Sequence, residues 1–72
     1  MATFSERLRE LRKKNNLTQK ALGALVNSSE RGIQSYELEQ RKPTIDIINA
    51  LADYFDVSTD YLLGRTDDPT RH

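Results

Sequence analysis

Between Leu17 and Pro43 the chain reads LTQKALGALVNSSERGIQSYELEQRKP, and this stretch restricts the possible folds more than any other. Thr18 opens it as a helix N-cap, its hydroxyl able to accept a bond from an orphan amide of the first turn. Ala21, Leu22, Leu25 and Val26 follow at the spacing of an apolar helical stripe. Asn27 is the non-glycine residue that best tolerates a left-handed backbone, so the helix should turn there. Ser28 and Ser29 then offer caps for a second helix, with Ile33 and Tyr36 at i, i+3 on its buried side. The stretch is therefore two short helices across a tight turn, the second presenting polar side chains outward.

The flanking sequence supplies the remainder of a small all-α domain. Thr3 and Glu6 match a capping box, and Phe4, Leu8 and Leu11 fall on one face of a first helix. Arg7, Arg9, Lys13 and Lys14 are placed outside that face, and Asn15-Asn16 breaks the pattern before Leu17 plugs the link. The second helix runs from about Gln19 to Val26. Gly23 in its middle costs roughly 1 kcal/mol relative to Ala, which predicts a close approach by the following helix. That third helix covers about Glu30 to Tyr36. Thr44 caps a fourth helix to Phe55, with Ile45, Ile48, Leu51, Ala52 and Phe55 on a broad apolar face. Ile47, Ala50 and Tyr54 form a second apolar strip. Ser58 caps a fifth helix over Thr59 to Leu63, and Gly64 ends it in a left-handed conformation. Residues 65–72 lack apolar periodicity and are expected to be a flexible polar tail after a domain spanning 1–64.

Charge is distributed unevenly although the formal net charge is zero. Residues 1–42 hold nine Lys or Arg against five Glu, and residues 43–72 hold two Arg against six Asp. Such a split orients a protein in the field of a phosphate backbone, although solvated helices carry charge without any partner. With no cysteine there is no disulfide, thiolate nucleophile or zinc-thiolate site, which fits a cytoplasmic protein. No apolar run approaches a membrane span, and no secretory signal opens the chain. The single histidine, His72, lies in the tail, and no carboxylate pair falls in an apolar pocket, so neither an enzyme nor a cofactor or metal is expected.

Two helices across a tight turn, the second polar outward, make a helix-turn-helix pattern, whose second helix enters the major groove of DNA. The chain also resembles the lambda repressor and Cro-like (Xre) helix-turn-helix family over about residues 4–64. The resemblance rests on LTQ at 17–19, Gly23, Ser29, Ile33, the Tyr36-Glu37 pair, RKP at 41–43 and LADYFDVSTDYLLG at 51–64. Three positions depart from the family pattern. Asn27 replaces the turn glycine, Ser28 replaces an apolar turn residue, and Leu38-Glu39 stands where Asn-Gly is usual. Without that glycine the third helix is expected to run on or to end less sharply.

Glu30, Arg31, Gln34 and Ser35 occupy the outward and leading positions of the third helix and are the candidate base readers. The Arg31 fork suits guanine O6 and N7, and Glu30 either accepts from cytosine N4 or simply favours the helix N-terminus. Gly32 either admits the close approach of a DNA sugar-phosphate or thymine methyl or only relieves crowding. Arg41 and Lys42, in a basic loop, are candidate phosphate contacts, against the plainer reading of a solvated loop. The resemblance implies a phosphate contact for Gln19 and a bridge from Arg12 to Glu37 between the first and third helices.

The function expected is sequence-specific binding of double-stranded DNA by a transcriptional regulator, in this family most often a repressor. A single module of this size covers about 600–1,000 Å² of interface, so a homodimer on a palindromic operator is expected. The alternative is a protein-interaction or antitoxin-type module that keeps the fold with weak DNA affinity; Glu30, the neutral charge and the missing loop glycine lean that way.

Overall fold

The computed structural model describes residues 2–71, so His72 lies outside the described residues. Five helices follow one another: α1 (Phe4–Lys14), α2 (Gln19–Leu25), α3 (Glu30–Glu37), α4 (Ile45–Phe55) and α5 (Thr59–Leu62). Each helix carries an N-cap that the sequence offers, with Ser29 rather than Ser28 serving α3. The hydroxyls of Thr3, Thr18, Ser29, Thr44 and Ser58 accept from the amides of Glu6, Ala21, Gly32, Ile47 and Tyr61. At α1 the capping box is complete, with the Thr3 amide donating to Glu6 Oε1 at 3.0 Å. That bond holds the Glu6 carboxyl below the usual carboxylate range.

The helix ends share a second device. Among the described residues, each helix is followed by one residue at positive φ: Asn16, Asn27, Glu39, Asp56 and Gly64. The next amide returns to a carbonyl five residues back, as in Ser28 to Gly23 at 2.7 Å and Gln40 to Ser35 at 2.9 Å. This is the Schellman closure. The expectation that α3 runs on without a loop glycine is therefore corrected: Glu39 takes the left-handed position at φ 61° and stops the helix.

One side chain from each helix meets at the centre. Leu8, Leu22, Ile33, Leu51 and Leu62 are all fully buried, and Leu11, Val26, Tyr36, Ala52 and Val57 surround them. The close approach predicted at Gly23 is present, since a Cβ there would sit 2.6 Å from the Ser29 carbonyl carbon. Three residues assigned to apolar faces or strips lie outside: Leu25 is 52%, Ile45 75% and Tyr54 42% exposed. A seven-residue α2 brings Leu22 and Val26 to the centre and leaves Leu25 on its flank, while Ile45 begins α4 where no neighbour covers it.

Arg7 is the opposite case. Expected outside the apolar face, it is 5% exposed, its guanidinium 3.8 Å above the Tyr61 ring and its Nη2 3.1 Å from Asp67 Oδ1. Asp67 belongs to the segment expected to be a flexible tail, which instead folds back on the bundle. Pro69 accepts from the Ser58 amide at 3.0 Å. Arg71 donates to the Ala52 carbonyl at 3.2 Å and to Asp53 at 2.6 Å, at the C-terminal end of α4 where a cation also complements the helix dipole. No hydrophobic periodicity announces these bonds, because they are polar and reach across the chain.

Candidate nucleic-acid interface

The α2–α3 pair is positioned by Gly23 beneath Ser29 and by Ile33 and Tyr36, which point into the core. What remains on the outside of α3 is Glu30, Arg31 and Gln34, all exposed. Among the described residues neither Glu30 nor Arg31 has an ion-pair partner, so the Arg31 fork is not held aside by its neighbour. Exposed Lys13, Lys14, Lys20, Arg41 and Lys42 add cations on α1, α2 and the loop after α3. Arg41 stands 6.0 Å above the Tyr36 ring, at the outer limit of a cation–π contact. With Lys42 it lines a groove of about 380 Å³ that also includes Phe4, Ile48 and Leu63.

Burial revises one expected contact and decides between the two readings of Gly32. Ser35 is 8% exposed and cannot reach a base edge from this position; the returning loop closes on its carbonyl. Gly32 is also buried, with the Ser28 hydroxyl 2.6 Å from where its Cβ would be, so its small size relieves crowding inside the turn.

The far end of α3 is held by a polar hub. Glu37 is buried, and its carboxylate accepts from Arg12 Nε at 2.6 Å and Arg12 Nη2 at 3.1 Å, the two-pronged bond that a planar guanidinium favours. Arg12 Nη1 also donates to the Leu17 carbonyl at 2.9 Å, tying the α1–α2 link to the same point. Gln19 stands at the first position of α2 as expected. Its side-chain amide donates one of its two N–H groups to Glu37 Oε1 at 3.2 Å, which holds the side chain in place and leaves the second N–H for a phosphate. Sequence reasoning missed Ser5 and Arg9, which also reach α3 from α1. Their spacing with Arg12 (i, i+4, i+7) was a visible signal, but nothing local named the element they would meet.

The arrangement offers no cluster of three or more His, Cys, Asp or Glu able to hold a metal ion among the described residues. Likewise no helix there is long and apolar enough to cross a membrane. It offers a short polar helix face, fixed from behind, with exposed cations on α1, α2 and the loop after α3.

Comparison with known proteins agrees with this geometry. The helix-turn-helix family model matches residues 8–62. The uncharacterized HTH-type transcriptional regulator YobD of Bacillus subtilis is 42% identical over 66 residues, covering 92% of this chain and 59% of YobD. The HTH-type regulator ImmR of the same organism is 36% identical over 63 residues, covering 88% of this chain and 50% of ImmR. The chain thus spans about half the length of these relatives. Among solved structures, the P22 c2 repressor in complex with a synthetic operator superposes with a TM-score of 0.82 at 35% identity, covering 88% of this chain and 96% of that one. A transcriptional regulator from Listeria innocua gives 0.82 at 34% identity over 86% of this chain and 58% of its own. Capped helices, the Gly23 contact, the outward face of α3 and these matches lead to one conclusion: the chain belongs to the lambda repressor and Cro-like helix-turn-helix family.

Proposed function

We propose that this domain binds double-stranded DNA in a sequence-specific manner, with α3 in the major groove, as part of a cytoplasmic transcriptional regulator acting as a repressor. The observation that carries the reading is the division of α3: Ile33 and Tyr36 are buried, and Glu30, Arg31 and Gln34 are exposed on the other side. The likeness to a repressor structure solved with its operator supports it. Arg31 is assigned to guanine O6 and N7, Gln34 to a second base edge, and Glu30 to cytosine N4. Arg41 and Lys42 are assigned to phosphates, which position the domain and carry no sequence information. A homodimer would place two copies of α3 about 34 Å apart along the duplex, on the halves of a palindrome.

Selection from a random duplex pool, followed by titration of the winning sequence over a range of salt, tests all of this together. The expected result is an enriched palindrome with half-sites about one helical turn apart and an affinity that falls steeply with salt. Arg31→Ala should then relax preference at one symmetric position per half-site, by about 1–3 kcal/mol, and leave the others sharp. A pool with no enriched sequence and a flat salt response would overturn the proposal and favour a protein-interaction or antitoxin-type module.

A further inference from the structure

α3 ends in a conformation that its own sequence does not favour. Glu39 lies at φ 61°, where glycine or asparagine is ordinarily found, and a glutamate keeps such a backbone only where its surroundings impose it. The surroundings here are the closing bond from the Gln40 amide to the Ser35 carbonyl and, behind it, side chains of α1. Ser5, itself buried, donates from Oγ to the Tyr36 carbonyl at 2.6 Å. Arg9 donates from Nη2 to the Glu37 carbonyl at 3.1 Å, and its Nε lies 3.7 Å from Glu37 Oε1. Both carbonyls belong to the last turn of α3, and that of Tyr36 also accepts from the Glu39 amide at 3.3 Å, so Ser5 bonds directly to the acceptor of the turn.

We propose that Ser5 and Arg9 are positioning residues for base reading: a clamp from α1 on the last turn of α3 that takes over the work of the absent loop glycine. Ser5, Arg9 and Arg12 lie on one face of α1. They grip two consecutive carbonyls and one carboxylate of the same turn, so α3 cannot roll or slide without breaking bonds to a rigid neighbour. Arg31 and Gln34 lie one to two turns back along this short helix, so a small rotation at Glu37 displaces them from the base edges they are assigned. The clamp rests on the DNA-reading proposal for its consequence, but its geometry is measurable without DNA.

The test uses Ser5→Ala and Arg9→Ala in two measurements. The first is amide hydrogen exchange of Leu38, Glu39 and Gln40 without DNA, compared with Leu8 and Leu51 in the core. The clamp predicts about tenfold faster exchange confined to residues 38–40, the equivalent of about 1.4 kcal/mol. The second is the ratio of affinities for the selected duplex and for random duplex, which should fall by about tenfold in each variant. Ser5 is uncharged, so its variant should keep the parent's salt slope. Unchanged exchange at 38–40 in both variants would overturn the clamp. So would an Arg9→Ala variant that binds every sequence more weakly by the same factor with a shallower salt slope, which would make Arg9 a phosphate contact. If Ser5→Ala speeds exchange everywhere, the domain is globally weakened, and the half-exposed Arg9 decides the matter on both measurements. A parent with no sequence preference would defeat the DNA-reading proposal alone, since the exchange measurement still reads the clamp.

Discussion

Replacing Arg12 by Met should cost this domain about 3 kcal/mol. Glu37 has a side chain only 3% exposed, and two of its bonds come from Arg12. Removing one member of a buried ion pair typically costs about 3–5 kcal/mol, because the remaining charge is left without its counter-ion. The lower end applies here, since Gln19 Nε2 at 3.2 Å and Arg9 Nε at 3.7 Å stay beside the carboxylate. A domain of 72 residues has a total stability of about 4–11 kcal/mol, so the loss is a large fraction of it. Urea unfolding followed by far-ultraviolet circular dichroism should show the midpoint falling without a change in slope. The double variant Arg12→Met/Glu37→Leu should recover most of the loss, since a well-packed apolar pair carries no desolvation cost. A cost below about 1 kcal/mol for Arg12→Met would refute the reasoning, as that is what a solvent-screened surface pair contributes.

Glu39→Gly should raise stability by about 1 kcal/mol, because glycine adopts the left-handed stop of α3 without steric cost; a lowered melting temperature would contradict the Schellman assignment. Gly23→Ala and Gly32→Ala should differ sharply. At position 23 the new Cβ would lie 2.6 Å from the Ser29 backbone and should cost about 1–3 kcal/mol. At position 32 it meets the rotatable hydroxyl of Ser28, so the loss should be smaller, and equal melting temperatures for the two variants would count against this distinction. Arg71→Ala should accelerate exchange of the Ser58 amide, which donates to Pro69, while the Leu51 amide keeps its protection. Unchanged exchange at Ser58 would show that residues 66–71 are held without Arg71.

The amino-acid sequence by itself determined where the helices begin, and most of where they end. A cap needs only a hydroxyl three residues before an amide, and Thr3, Thr18, Ser29, Thr44 and Ser58 each meet that local condition. The outward placement of Glu30, Arg31 and Gln34 was legible for the same reason, because helical periodicity sets them opposite Ile33 and Tyr36. Only the tertiary structure decided which faces are covered. Periodicity says that Leu25 and Ile45 share faces with core residues, but burial requires a neighbour at the right distance, and none reaches them. Conversely, Ser35 and Arg7 read as surface residues and are buried, Arg7 against Tyr61 and Asp67 far along the chain. The Glu37 hub shows the limit most clearly. The family resemblance paired it with Arg12, but Gln19, Ser5 and Arg9 converge on the same turn through bonds spanning 18, 31 and 28 residues. Contacts of that span are set by how whole helices pack, and no local pattern of residues encodes them.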